Sequence, residues 1–268
     1  MQTKADPFLA GRIMQNLSLR VLEQQFIKLD TRWNYPGTTS PFNRLYIVTA
    51  GTGTVRFRDA TLTLAKNRAY LLPLHTTFDL KCPRFLEKYY AHFRLELYGR
   101  DIFENTGTWR EAVLPPALVQ RVVALSGSDK VDDCLKLRSI ILEILGRWAN
   151  VPALEMVAAR RLAEQYGPLF RFIDNQCRAG LTMQQLAGSL GQTPNTLSKR
   201  FRRDMGVSVK RFYAQRLVRR AQEELVLTNK RINEIAAGLQ FSDEFYFSNF
   251  FRKMTGLSPR AYRQQNRM

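Results

Sequence analysis

Between Arg44 and Leu97 apolar and polar residues alternate in short runs, the period of a strand with one face buried. Arg44-Leu45-Tyr46-Ile47-Val48-Thr49 is rich in β-branched and aromatic residues, and Gly51-Thr52-Gly53 gives the backbone freedom for a tight turn before Val55-Arg56-Phe57. Thr61 to Leu64, Tyr70 to Leu72 and Leu86 to Leu97 predict further strands. Their close spacing predicts a small antiparallel barrel or sandwich. From Pro115 the period changes. Leu118, Val122 and Leu125, then Leu137, Ile140, Ile141, Ile144, Leu145 and Trp148, recur at three- and four-residue spacings, so helices follow. Val151-Pro152 and Gly167-Pro168 punctuate the helical stretch, and the second pair sets the expected boundary between a domain 1–166 and a domain 167–268.

One pattern occurs twice in the second domain. Phe201-Arg202-Arg203 leads to Gly206, Val207, Ser208, Lys210 and Phe212; Phe251-Arg252-Lys253 leads to Gly256, Leu257, Ser258, Arg260 and Tyr262, with the same aromatic, basic, glycine and serine positions. Upstream, Leu186-Ala187 matches Ile235-Ala236 at a spacing of 49 residues instead of 50. One residue has therefore been gained inside the second turn. Such internal repetition decides architecture.

Each copy reads as two helices and a turn. In the first, Thr182 caps a helix running to Leu190 with Met183, Leu186, Ala187 and Leu190 inward; Gly191 suits the left-handed position that ends it. Thr193 then caps and Pro194 opens a second helix, which turns Leu197 and Phe201 inward and leaves Asn195, Thr196, Ser198, Lys199 and Arg202 outward. In the second copy Ile232, Ile235, Ala236 and Leu239 form the supporting helix, Phe241 closes the turn and Ser242 caps. Tyr246, Phe247, Phe250 and Phe251 are the expected buried aromatics, leaving Asp243, Glu244, Phe245, Ser248, Asn249 and Arg252 at or near the surface. The outward residue types are those that bond base edges and phosphates. Between the copies, Ser208 to Leu227 predicts one helix of roughly 30 Å, close to the roughly 34 Å between major-groove faces on one side of B-DNA.

Charge agrees with that geometry. The net charge of the 268-residue chain is +18, and from Pro168 onward 18 basic residues face 7 acidic ones, against 23 and 16 before it. A basic domain of this kind favours double-stranded DNA over a membrane surface as partner. Cys82, Cys134 and Cys177 lack metal or redox spacing and read as reduced thiols of a cytoplasmic protein; Met1 to Gln24 has scattered charges and no apolar signal core.

Ile235-Ala236, Phe241-Ser242-Asp243, Tyr246-Phe247-Ser248, Phe251-Arg252-Lys253, Gly256, Ser258-Pro259 and Tyr262-Arg263 resemble the signature of AraC/XylS transcriptional regulators. The resemblance implies an α+β chain of two domains: a cupin-like N-terminal β-barrel with following helices that binds an effector and dimerises, and an all-α C-terminal domain with two helix-turn-helix motifs joined by a long helix. It also implies RNA polymerase as a partner and activation as the sign of regulation. On this reading Thr182, Asn195, Thr196, Ser198, Lys199, Arg202, Glu244, Phe245, Ser248, Asn249 and Arg252 are the DNA-binding candidates. The sequence departs from the family at Gln240, where glycine is usual, and at the bulky Phe245.

Within the N-terminal strands, Tyr89, Ala91, Phe93, Leu95 and Leu97 share one face and Tyr90, His92, Arg94 and Glu96 the other. The second face belongs either in solvent or in a barrel lumen. In the lumen, Tyr90 and His92, with Arg44, Tyr46, Trp33 and Phe78, form an effector site whose aromatic planes and polar groups suit a sugar; a fatty acid or a protein partner is the alternative. Only His75 and His92 are available as histidine ligands, too few for a metal-dependent cupin enzyme, so neither metal nor cofactor nor catalysis is expected. The apolar helix Leu135 to Trp148 needs a partner, either its own barrel or a second subunit of a homodimer.

Overall fold

The computed structural model describes residues 9–266; the start of the segment from Met1 to Gln24 lies outside the described residues. Two compact units divide between residues 153 and 154. The first carries α1 (Leu9–Asn16), ten strands, and helices α2 (Pro116–Ser126) and α3 (Val131–Gly146). The strands are β1 (Leu17–Asp30), β2 (Asn34–Thr38), β3 (Asn43–Gly51), β4 (Gly53–Arg56), β5 (Thr61–Leu64), β6 (Arg68–Leu72), β7 (Phe78–Lys81), β8 (Phe85–Leu97), β9 (Arg100–Asp101) and β10 (Arg110–Val113).

They form two antiparallel sheets, one ordered β1-β8-β3-β6-β10 with β9 paired to β8, the other β2-β7-β4-β5. Alternation along the first sheet separates two cores. Leu45, Ile47, Ala69, Leu71, Tyr89, Ala91, Phe93 and Leu95 point outward and are covered by Val119 and Val122 of α2 and Leu137, Ile140, Ile141, Ile144 and Leu145 of α3. Tyr46, Val48, Tyr70, Leu72 and Leu86 point the other way and meet Val55, Leu62, Leu64, Phe78 and Leu80 of the second sheet. The partner of α3 is thus the sheet of its own chain, and each side chain it buries there contributes roughly 1.5–3 kcal/mol.

The second unit is helical: α4 (Ala153–Asn175), α5 (Met183–Gly188), α6 (Pro194–Met205), α7 (Val209–Leu227), α8 (Ile232–Gly238), α9 (Glu244–Thr255) and α10 (Pro259–Asn266). Gly167-Pro168, expected to separate the domains, lies inside α4. Tyr166, Leu169 and Ile173 of that helix are buried with Leu186, Ala187, Leu197, Phe201 and Val209 in the core of the first helix-turn-helix. Tertiary packing holds the helix through a residue pair that locally favours a break.

The two copies repeat down to the backbone. Gly191 and Gln240 both have positive φ, 60° and 56°, and Gln192 and Phe241 donate their backbone N–H to the Ala187 and Ala236 carbonyls at 3.1 and 3.0 Å. Thr193 caps α6 through the Thr196 N–H, and Asp243 caps α9 through the Tyr246 N–H. The extra residue therefore lies between the left-handed position and the cap: Gln192 alone in the first turn, Phe241-Ser242 in the second. Ser242, the expected cap, instead donates its hydroxyl to Asp243 Oδ2 at 2.9 Å, because the carboxylate reaches the orphan N–H of the first turn. Gln240 carries a side chain where only glycine is unstrained; its Oε1 accepts from Arg178 Nη1 at 3.0 Å. Gln240→Gly is expected to stabilise this unit by about 0.5–1 kcal/mol. A lowered midpoint in differential scanning calorimetry of the full chain would show that the Arg178 contact outweighs the strain.

Candidate nucleic-acid interface and inter-sheet site

Leu197 and Phe201 bury one side of α6, so Asn195, Thr196, Ser198, Lys199 and Arg202 emerge on the other, all exposed. Arg200 is exposed beside them and was absent from the sequence candidates; its position next to Lys199 on a helix buried by Leu197 and Phe201 was the available signal. Not every candidate is free to read a base. The Thr196 hydroxyl shares a hydrogen bond with that of Thr193 at 2.9 Å, and Thr182 is the cap of α5 in a capping box with Gln185. Their roles are to fix the helix ends.

On α9, Phe247 and Phe251 are buried against Phe241 and Tyr262. Glu244, Phe245, Asn249 and Arg252 are exposed and Ser248 is half-buried. Tyr246, expected in the core, is 57% exposed, and Phe250 is half-buried. The reason is rotational: with Asp243 as cap, Phe247 and Phe251 take the inward stripe, which leaves Tyr246 to the side. Phe245 stands out at 78% exposure.

The two helix pairs are locked together. Helix α7 buries Val209, Leu217, Val218, Ala221, Leu225 and Val226. Phe212 near its start packs its ring 5.4 Å from Phe201 and 5.1 Å from Phe170; near its end the Leu225 carbonyl accepts from Arg263 Nε of α10 at 2.9 Å. The segment before α5 bridges to the second copy through Ala179 N–H donating to the Leu239 carbonyl at 2.6 Å. The reading helices are thus two faces of one body.

All six effector candidates lie in or beside the space between the two sheets. Strand pairing puts Arg44 opposite His92 and Tyr46 opposite Tyr90. A bulge in β1 between Val21 and Glu23 resets its phase, so that Glu23, not Leu22, faces His92. Glu23 Oε1 accepts from the Tyr90 hydroxyl at 3.0 Å and its Oε2 lies 2.9 Å from His92 Nδ1. His92 Nε2 stands 3.4 Å from Arg44 Nη1, which is also 3.4 Å from the Tyr46 hydroxyl. These partners select the tautomer with the proton on Nδ1. Phe42 stacks on the imidazole at 4.7 Å between centroids.

Lys88, two residues before Tyr90 on the same face, completes the cluster. Sequence reasoning passed over it, although alternation along β8 placed it there. Its Nζ lies 3.2 Å from the ring centroid of Tyr46 and 4.3 Å from that of Trp33. Lys88, Arg44, Tyr46, His92, Trp33, Phe42 and Phe78 are all buried, and Glu23 and Tyr90 form the wetter edge. Arg94, on the same strand face, is buried too and donates to the Pro41 carbonyl. Burial, reinforced by Arg44, holds the Lys88 ammonium well below the ordinary lysine range. Burial also pushes His92 down to about 4, with Arg44 adding to the effect and Glu23 opposing it.

Because the unfolded imidazole protonates near its ordinary 6.5 and the folded one near 4, acid favours the unfolded chain. His92's contribution is complete above about 6.5 and is lost as pH falls toward 4, by something on the order of 3 kcal/mol. Asp101 acts in the opposite direction: burial raises it to about 6, so its contribution is lost as pH rises through that value. The expected outcome is an imidazole NMR titration of His92 with a midpoint near 4, and a stability loss below pH 6.5 that His92→Gln flattens; a midpoint near 6.5 would contradict the buried assignment.

Among the described residues, no helix is long and apolar enough to cross a membrane. Residues 186–265 match the family model described as a helix-turn-helix domain. The chain is 27% identical over 188 residues to the arabinose operon regulatory protein of Escherichia coli, covering 65% of this chain and 63% of that protein. It is 30% identical over 97 residues to the bifunctional transcriptional activator/DNA repair enzyme AdaA of Bacillus subtilis, covering 36% of this chain and 46% of that protein. In both cases it spans less than two thirds of the relative's length. Among solved structures it is similar to the C-terminal domain of AraT, a response regulator from Geobacillus stearothermophilus, with 28% identity, a TM-score of 0.38, and coverage of 40% of this chain and 90% of that one.

Proposed function

We propose that the protein, whose residues 186–265 match a helix-turn-helix domain and carry a signature similar to that of AraC/XylS regulators, is a sequence-specific transcriptional regulator whose helices α6 and α9 enter consecutive major grooves of one duplex. The observation that carries this reading is the pair of matched helices, each with exposed polar and basic residues, fixed to one rod. Helix α7 has 19 residues, hence a length of roughly 28 Å, near the groove repeat of roughly 34 Å. Asn195, Ser198, Lys199 and Arg202 of α6 and Asn249 and Arg252 of α9 supply hydrogen bonds and charge. Phe245 supplies an apolar surface suited to a thymine methyl group, which is how a side chain without donors reads sequence. Thr182, Thr196, Glu244 and Ser248 position the helix ends or lie at the margin.

In the same reading the N-terminal unit is the sensor. An effector held between the sheets by Arg44, Tyr46, Tyr90 and His92, within the walls of Trp33 and Phe78, sets the state of the reader. Activation, a second copy as partner and contact with RNA polymerase belong to this proposal as well. Catalysis is not part of it.

Lys199→Ala and Arg252→Ala are each expected to weaken binding of the full chain to its selected site by about 1–3 kcal/mol, and Lys199→Ala to relax base preference at one position. Fluorescence anisotropy across a set of single-base variants checks this. Unchanged affinity in both variants would remove these helices from the interface, whereas a uniform loss with a shallower salt dependence would confine the residue to phosphate.

A further inference from the structure

The inter-sheet face is rich in hydrogen-bond donors and poor in acceptors. Arg44 and Lys88 are both buried. Lys88 Nζ has no hydrogen-bond partner among the described residues and lies 3.2 and 4.3 Å from the ring centroids of Tyr46 and Trp33. A ring face stabilises a desolvated ammonium by less than its burial costs. The folded chain therefore buries an amine for which the described residues supply no anionic or hydrogen-bonding partner. The carboxylate that the β1 bulge brings to this face, Glu23, is engaged at both oxygens, by Tyr90 and by His92.

A sugar is a poor match for such a face. Each sugar hydroxyl both donates and accepts, and a donor left without an acceptor in a buried site weakens binding. An anion accepts only, and two positive groups flanked by aromatic walls suit it. We infer that the molecule recognised between the sheets carries a carboxylate, which pairs with Lys88 and Arg44 while an apolar body lies against Trp33, Phe42 and Phe78. This inference rests on the reading of the N-terminal unit as an effector sensor and names the chemical class of its ligand.

A proton accompanies the binding. The titratable groups around the two cations are Tyr46 on β3, Tyr90 and His92 on β8, Glu23 on β1 and Cys82 beyond β7. His92 stays neutral above about 4 and burial keeps the Tyr46 hydroxyl protonated. Lys88 is then the group whose charge responds. Its ammonium is disfavoured by burial and favoured by an arriving carboxylate, so affinity falls as pH rises.

The test is isothermal titration and thermal-shift measurement on the full chain with benzoate and octanoate, their amides benzamide and octanamide, and L-arabinose as a neutral polyol. The expected result is that an acid binds at least ten-fold more tightly than its amide and than arabinose, with affinity declining from pH 6.5 to 8.5. Preference for benzoate or octanoate identifies the body as ring or chain. Lys88→Met removes an unpartnered buried amine and is expected to fold with an equal or higher midpoint, to lose at least ten-fold in acid affinity, and to lose the pH dependence. Equal binding of acid and amide, or acid binding unchanged in Lys88→Met, overturns the inference. Arabinose binding that His92→Ala abolishes and Lys88→Met leaves intact would overturn the carboxylate while keeping the sensor reading. If no probe binds, or if binding survives both substitutions, the inference and the sensor reading fall together.

Discussion

Helix α7 is shared by two cores. Its first turns carry Val209 and Phe212 into the aromatic cluster of the first helix pair, and its later turns carry Leu225 and Val226 toward the second. A helix packed at both ends in this way cannot bend without opening one core or the other, since each buried aromatic contributes several kcal/mol. The relative placement of α6 and α9 is therefore a property of α7. On the proposed function, a duplex bound by both helices must present its grooves at the spacing that the rod sets.

The N-terminal unit shows the converse arrangement, in which one face of a sheet is satisfied and the other is not. The face turned toward α2 and α3 is built mainly of apolar side chains. The face turned toward the second sheet holds Arg44, Lys88, His92 and Arg94 among aromatic rings. Replacing such groups by aliphatics of similar volume is neutral or stabilising in general. Their presence is a local conflict between charge and burial, and conflicts of that kind mark places where a protein is shaped for something other than its own stability. The β1 bulge adds to this view, because one extra residue exchanges Leu22 for Glu23 opposite His92.

Much of this was legible from residues alone, and the exceptions have physical causes. Repetition located both helix pairs, and the change of spacing from 50 to 49 located the altered turn, which the backbone places between Gln240 and Asp243. Alternation along β8 correctly grouped Tyr90 and His92, and pairing with β3 brought Arg44 and Tyr46 to them. What alternation could not say is which face looked inward; that followed from the cover supplied by α2 and α3. Strand β1 escaped detection because its bulge breaks the period, and β2 because it contains Pro36 and Gly37. Helix α4 runs through Gly167-Pro168 since burial of Tyr166 and Leu169 outweighs a local preference. Ser242 and Asp243 are both good caps in isolation, and only the three-dimensional turn decides between them.

Selection from a random pool of duplexes measures the rigid coupling most directly. The account predicts enriched sites with two conserved blocks centred about 10 base pairs apart, on one face of the duplex, at a spacing that tolerates no insertion. Enrichment of a single block, or of two blocks at variable spacing, would contradict the claim that one rod holds both reading helices in register.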